Sequence, residues 1–108
     1  MASSLDYVEY VCEQLSGIGE IRYRKMFGEY MVYVNNKPLV LICDDTAFVK
    51  LHPALESLAA RMSTAVPYNG AKEHYVVDVD DRDLLVQAVS TLEPLVPLPK
   101  ARKRVRLP

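Results

Sequence analysis

Between Arg24 and Leu51 the chain reads as four short apolar runs separated by Gly28, Asn35-Asn36 and Asp44-Asp45. Gly, Asn and Asp are the residues that tolerate the left-handed backbone of tight hairpins, so the pattern predicts an antiparallel meander. Tyr30–Val34 and Leu39–Cys43 are apolar at odd and even positions alike, as in strands covered on both faces. Thr46–Leu51 completes the meander. The first strand differs: Ile21, Tyr23 and Phe27 alternate with Arg22, Arg24 and Met26, so one face is apolar except at Lys25 and the other is largely cationic. Such a strand is expected to be half exposed.

Helical periodicity brackets the meander. Leu5, Val8, Cys12 and Leu15 recur at one helix face, widened by Val11, and Ser3 with Asp6 three residues on resembles a capping box. A helix from about Ser4 to Ser16 is expected, stopped by Gly17 and Gly19 in the left-handed conformation. A second helix is predicted over Pro53–Met62, with Pro53 at its first position. Pro67-Tyr68-Asn69-Gly70 reads as a turn and Glu73–Val79 as a further strand. Asp80 is expected to cap a third helix, Asp81–Glu93, burying Leu84, Leu85, Ala88, Val89 and Leu92 before Pro94 ends it. The predicted order is helix, three or four strands, helix, strand, helix. That order describes an α+β two-layer sandwich, an antiparallel meander sheet with its helices mainly on one face. Residues 1–93 form the expected domain, and residues 94–108 a Pro-rich linker and basic tail. One helical layer leaves the second face of the central strands to be covered, and the expected cover is another subunit.

The two segments RKMFGEYMVYVNNKPLVLICDDTAFVKL, at Arg24–Leu51, and PYNGAKEHYVVDVDD, at Pro67–Asp81, resemble the N-terminal domain family of the TfoX competence regulators in order, spacing and residue type. The likeness covers most of residues 5–92. It implies the same sheet-and-helix arrangement and a link to transcriptional control of competence genes in bacteria. In that family a C-terminal helical domain often follows this one; here the chain stops soon after the third predicted helix, so a stand-alone N-terminal domain is expected.

Charge changes this picture at one end. The formal net charge of −1 conceals a body, residues 1–99, with eight cations against fourteen acids, and a tail in which Lys100, Arg102, Lys103, Arg104 and Arg106 meet no acid. An acidic body repels nucleic acid, whereas the tail attracts either nucleic acid or an acidic protein surface. Arg22, Arg24 and Lys25 are the one basic cluster in the body. Apolar runs such as Leu39–Cys43 are far too short to cross a bilayer, and Asp6 and Glu9 stand where a targeting segment carries basic residues. The expectation is a cytoplasmic protein with no membrane partner.

No catalytic, metal or cofactor site is expected. Asp78, Asp80, Asp81 and Asp83 suggest a calcium loop by their spacing, but Arg82 stands where that loop needs an oxygen ligand and the sharp-turn glycine is missing. Acids drawn to the positive end of a helix account for three of the four. His52 and His74 lack a second ligand at metal-binding spacing, and Cys12 and Cys43 sit among core-type residues, as packed free thiols do. Gly28 is followed by no further glycines at phosphate-loop spacing.

Seven of nine aromatic residues are tyrosines, and Tyr23, Tyr30, Tyr33, Tyr68 and Tyr75 lie on or beside the sheet. Tyrosine suits an interface, the rim of its own core, or base stacking. The functional expectation is a non-enzymatic homodimeric protein-interaction domain with a regulatory partner. The alternatives are nucleic-acid association through the tail and Arg22–Lys25, and a small-molecule binder or enzyme with a pocket near His74 or His52.

Overall fold

In the computed structural model, which describes residues 4–26 and 29–98, six strands form one antiparallel sheet. They are β1 (Ile21–Met26), β2 (Glu29–Val34), β3 (Lys37–Cys43), β4 (Thr46–Lys50), β5 (Ser63–Ala65) and β6 (His74–Val77), in spatial order β1-β2-β3-β4-β6-β5. Helix α1 (Leu5–Gln14) precedes them, a 3₁₀ helix (Pro53–Arg61) follows β4, and α2 (Arg82–Leu92) follows β6. The α+β architecture and the element order agree with the sequence pattern; β5, three exposed residues long, is an addition.

The two inner hairpins turn as their residue types require. Asn35 and Asn36 have φ of 53° and 68°, and Asp44 and Asp45 have φ of 55° and 52°, the positive pair of a type I′ turn. β2 alternates, with Tyr30, Val32 and Val34 buried and Met31 and Tyr33 half-covered between them. In β3 the four residues Leu39–Ile42 are all buried. A register shift opposite Val32 and Tyr33 makes Leu39 the extra residue of a bulge. The bulge also accommodates Pro38, whose missing N–H would otherwise break the ladder of a central strand. β1 is an edge strand, exposed from Arg22 through Lys25 rather than half exposed.

The core lies on one side of the sheet. Val32, Val34, Val40, Ile42, Ala47, Val49 and Val77 meet Val8, Val11 and Leu15 of α1, Leu55 and Leu58 of the 3₁₀ helix, and the Leu84, Leu85, Ala88, Val89 and Leu92 face of α2. The predicted second helix is therefore present but wound more tightly. Its two buried leucines are three residues apart, the spacing that a helix of three residues per turn stacks on one line. His52 caps it, its Nδ1 accepting from Ala54 N at 3.0 Å.

Four local expectations shift by small amounts. Ser4 caps α1, its side chain accepting from Tyr7 N, and Asp81 rather than Asp80 caps α2, accepting from Leu84 N at 3.1 Å. Of the two glycines after α1, Gly17 takes the left-handed conformation, at φ 99°. At Gly19 space is tight: a Cβ there would stand 2.7 Å from Asn35 Oδ1, so the Asn35 side chain would have to move. The strand predicted to Val79 ends at Val77. The reading of Gly28 as a bulge or turn falls outside the described residues.

Candidate functional site

Because the side chains of a strand alternate, pairing register fixes which residues share the sheet face opposite the helices. Successive cross-strand rows on that face are Met26 with Glu29; then Arg24, Met31, Leu41, Phe48 and Val76; then Arg22, Tyr33 and Pro38, with Lys50 and His74 beyond. Among the described residues no helix covers these rows. Instead Tyr68, Lys72 and Glu73, from the segment between β5 and β6, line the same groove as Met31, Leu41 and Phe48, and Pro67 of that segment is buried. The groove encloses about 580 Å³.

The expectation that another subunit covers the second face is thus modified. Leu41 and Phe48 are only 8% and 5% exposed within the single chain. The chain's own segment supplies much of their cover because the turn at Gly70, with φ 91°, folds it back before β6. What remains open is the groove itself, with Leu51 and Tyr68 at its lining 38% and 48% exposed.

The groove is apolar in the middle and charged at its ends. Glu29 lies level with the start of β4, and its Oε2 is 3.9 Å from Cys43 Sγ. Lys50 and His74 face each other at the far end of β4, and Lys72 stands beside them. His74 is held in place: its Nδ1 lies 2.8 Å from Lys72 O, and its ring meets Phe48 edge-on at 6.4 Å. A carbonyl only accepts, so Nδ1 carries the proton. Glu73 accepts a hydrogen bond from Thr64 Oγ1 at 2.9 Å. Among the described residues neither Lys50 nor Lys72 has a carboxylate within ion-pair distance.

The five tyrosines do not form one patch. Tyr23, Tyr30 and Tyr75 lie on the helix-bearing face, Tyr23 packing edge-on to Tyr30 at 5.9 Å. Tyr33 is on the opposite face, and Tyr68 lines the groove. Arg22 and Arg24 share a face with Tyr33, and with Asn36 they line a second cleft of about 130 Å³; Arg22 Nη1 donates to Asn36 Oδ1 at 3.1 Å. Lys25 is on the other face of β1. Lys100, Arg102, Lys103, Arg104 and Arg106 lie outside the described residues.

The remaining candidate chemistry resolves into structure. Asp81 and Asp83 serve the first turn of α2, Asp78 Oδ1 accepts from Asp80 N at 3.0 Å, and Asp80 accepts from Tyr10 Oη at 2.8 Å. Leu84 N–H and then Arg61 hold the Asp81 carboxyl below its usual range, while the bond to Asp80 holds the Tyr10 phenol above its own. Among the described residues no group of three or more His, Cys, Asp or Glu is placed to hold a metal ion, and no helix is long and apolar enough to cross a membrane. Cys12 and Cys43 are free and half-buried rather than fully buried. Burial raises both thiols, with Glu9 adding to the effect at Cys12 and Glu29 at Cys43. Cys43 pairs with the first residue of β4 and His74 with the last, so the strand separates them by roughly 13 Å at about 3.3 Å per residue. They form no nucleophile–base pair.

The small-molecule alternative requires a pocket near His74 or His52, and a groove lies beside His74; its lining was not legible in the sequence, because Glu29, Lys50 and Lys72 become neighbours of one groove only through strand pairing. The comparisons agree with the fold. A model of the TfoX N-terminal domain matches residues 13–90. An uncharacterised 12.7 kDa protein of the trpE 5′ region of Spirochaeta aurantia is 30% identical over 105 residues, covering 95% of this chain and 91% of that protein. With all six strands, the 3₁₀ helix and most of α2 inside the matched range, the chain belongs to the TfoX N-terminal domain family.

Proposed function

We propose that this chain is a non-enzymatic interaction domain that pairs with a second copy of itself through the open face of its sheet. The pair presents a surface to a regulatory partner in the cytoplasm. The observation that carries this reading is one-sidedness: both α-helices and the 3₁₀ helix pack on one face, while the other ends in an open apolar groove edged by exposed Leu51 and Tyr68. Interfaces favour an apolar centre rich in aromatic residues, with a polar rim. Family membership supports a role in transcriptional control of competence-type genes. The non-enzymatic part is supported by the separation of Cys43 from His74 and by the raised thiols.

Sedimentation velocity tests the pairing. A dimer is expected at micromolar concentration, and Leu51→Asp with Tyr68→Asp should shift it to monomer with an unchanged circular dichroism spectrum. A wild-type chain that sediments as a monomer throughout overturns the reading.

A second reading is favoured by the cleft where Arg22, Arg24 and Tyr33 gather, since cations beside an aromatic ring suit single-stranded nucleic acid. Residues 100–108 would add phosphate contacts, with a salt slope on duplex DNA no steeper than about −4.5 for five cations. Removing residues 100–108, or making Arg22→Glu with Arg24→Glu, should then abolish salt-sensitive binding. Full-length protein that binds no nucleic acid at low salt rejects it.

A further inference from the structure

The groove between β2–β4 and the segment preceding β6 has the volume and polarity of a small-molecule site. Ligand pockets enclose roughly 300–1,000 Å³ and are mostly apolar with a few oriented polar groups, and this one encloses about 580 Å³. Its floor is the cross-strand row Met31, Leu41 and Phe48. Those three side chains offer no hydrogen-bonding group to a polar ligand body, so what lies on them must be apolar.

The two ends differ in sign. At the β4 C-terminal end, Lys50 and Lys72 flank His74, and neither lysine is neutralised by a carboxylate among the described residues. Glu73 lines the same end, its carboxylate held by Thr64 Oγ1, and its charge offsets one lysine, leaving that end net positive. Glu29 stands at the opposite end, about four residues of strand away, where it repels a second negative group.

We propose that this groove binds a small amphipathic monocarboxylate, its hydrocarbon body on Met31, Leu41 and Phe48 and its carboxylate between Lys50 and Lys72 beside His74. This goes beyond the pairing proposed above and does not require it, since every residue used belongs to one chain; because Leu51 and Tyr68 edge the same groove, a paired chain binds the ligand only where its partner leaves the mouth open. Two lysines converging on an anion form charge-assisted hydrogen bonds, stronger than neutral ones and weakened by salt because the head group sits at the mouth. The apolar floor supplies affinity, and the lysines set orientation and select the anion.

The test titrates isotopically labelled full-length protein with octanoate, 1-octanol and octylammonium, followed by amide chemical shifts, with sedimentation run on the same samples. Octanoate should produce saturable shifts centred on Leu41, Phe48, Lys50 and His74. 1-Octanol should bind roughly tenfold more weakly at low salt, the difference narrowing as salt rises. Lys50→Gln with Lys72→Gln should bring octanoate down to the affinity of 1-octanol. Met31→Trp fills the groove and should abolish the shifts while thermal midpoint and circular dichroism show an intact fold. Should that variant not fold, the lysine pair alone decides. Absence of saturable shifts, equal affinity for octanoate and 1-octanol, tighter binding of octylammonium, or shifts centred elsewhere would each overturn the proposal. A monomer that binds octanoate upholds it while the pairing fails; a dimer that does not bind, even when diluted to monomer, does the reverse.

Discussion

Tyr7 shows how one side chain records its surroundings. It sits half-buried beside the sheet, and burial together with the nearby carboxylates of Asp45, Asp80 and Asp78 pushes its phenol up to about 12. An acid whose folded-state value is raised stabilises the fold while it is protonated in both states. That contribution is complete below about 10, the ordinary phenol value, and disappears as pH rises through about 12. Tyr7→Phe should therefore unfold less steeply between these two values than the wild type, as measured by urea denaturation along a pH series. In the core, Ile42 is fully buried on the helix-bearing face. Ile42→Ala should cost about 2–5 kcal/mol by the same measurement, from lost transfer energy plus the cavity left behind. The apolar runs made Ile42 legible as core, whereas the setting of Tyr7 was not, because its carboxylate neighbours come from the β3–β4 turn and the loop before α2.

Between elements, short polar latches hold the helices to the sheet. The C-terminal end of α2 has no basic residue of its own in its last turn. Lys37 reaches it from β3 instead, donating to Glu93 O at 2.6 Å and lying 3.3 Å from Glu93 Oε2. A cation there meets the negative end of the helix and an otherwise unpaired carbonyl. Lys37→Met keeps the hydrocarbon stem, and it should lower stability by about 1–2 kcal/mol in chemical denaturation. A parallel latch joins the β2–β3 turn to the α1–β1 connection. Asn35 N donates to Glu20 O at 2.8 Å, and its Oδ1 accepts from Glu20 N at 2.9 Å. Asn35 was readable as a turn residue from its type. Its second role, and the tight fit of Gly19 against it, depend on a contact across 16 positions that no local pattern encodes.

At the scale of the molecule the two faces of the sheet have different fates, and this sets how the chain can associate. A domain that pairs in solution is stabilised by its own concentration, since the pair forms only from folded chains. Thermal midpoints should rise as protein concentration increases, and Leu51→Asp with Tyr68→Asp should remove that dependence. A midpoint independent of concentration would mean that the open face does not pair.

The order of elements, the hairpin turns at Asn35-Asn36 and Asp44-Asp45, and the inward stripes of α1 and α2 were determined by residue pattern alone. Period-two and helical repeats, with residues that accept positive φ, are properties of neighbours in the chain. The bulge at Leu39, the 3₁₀ winding after Pro53, the division of the tyrosines between two faces and the groove with its charged ends were decided by tertiary structure. Each depends on which residues strand pairing sets side by side, and register is settled by the packing of the whole sheet against its helices rather than by any one segment.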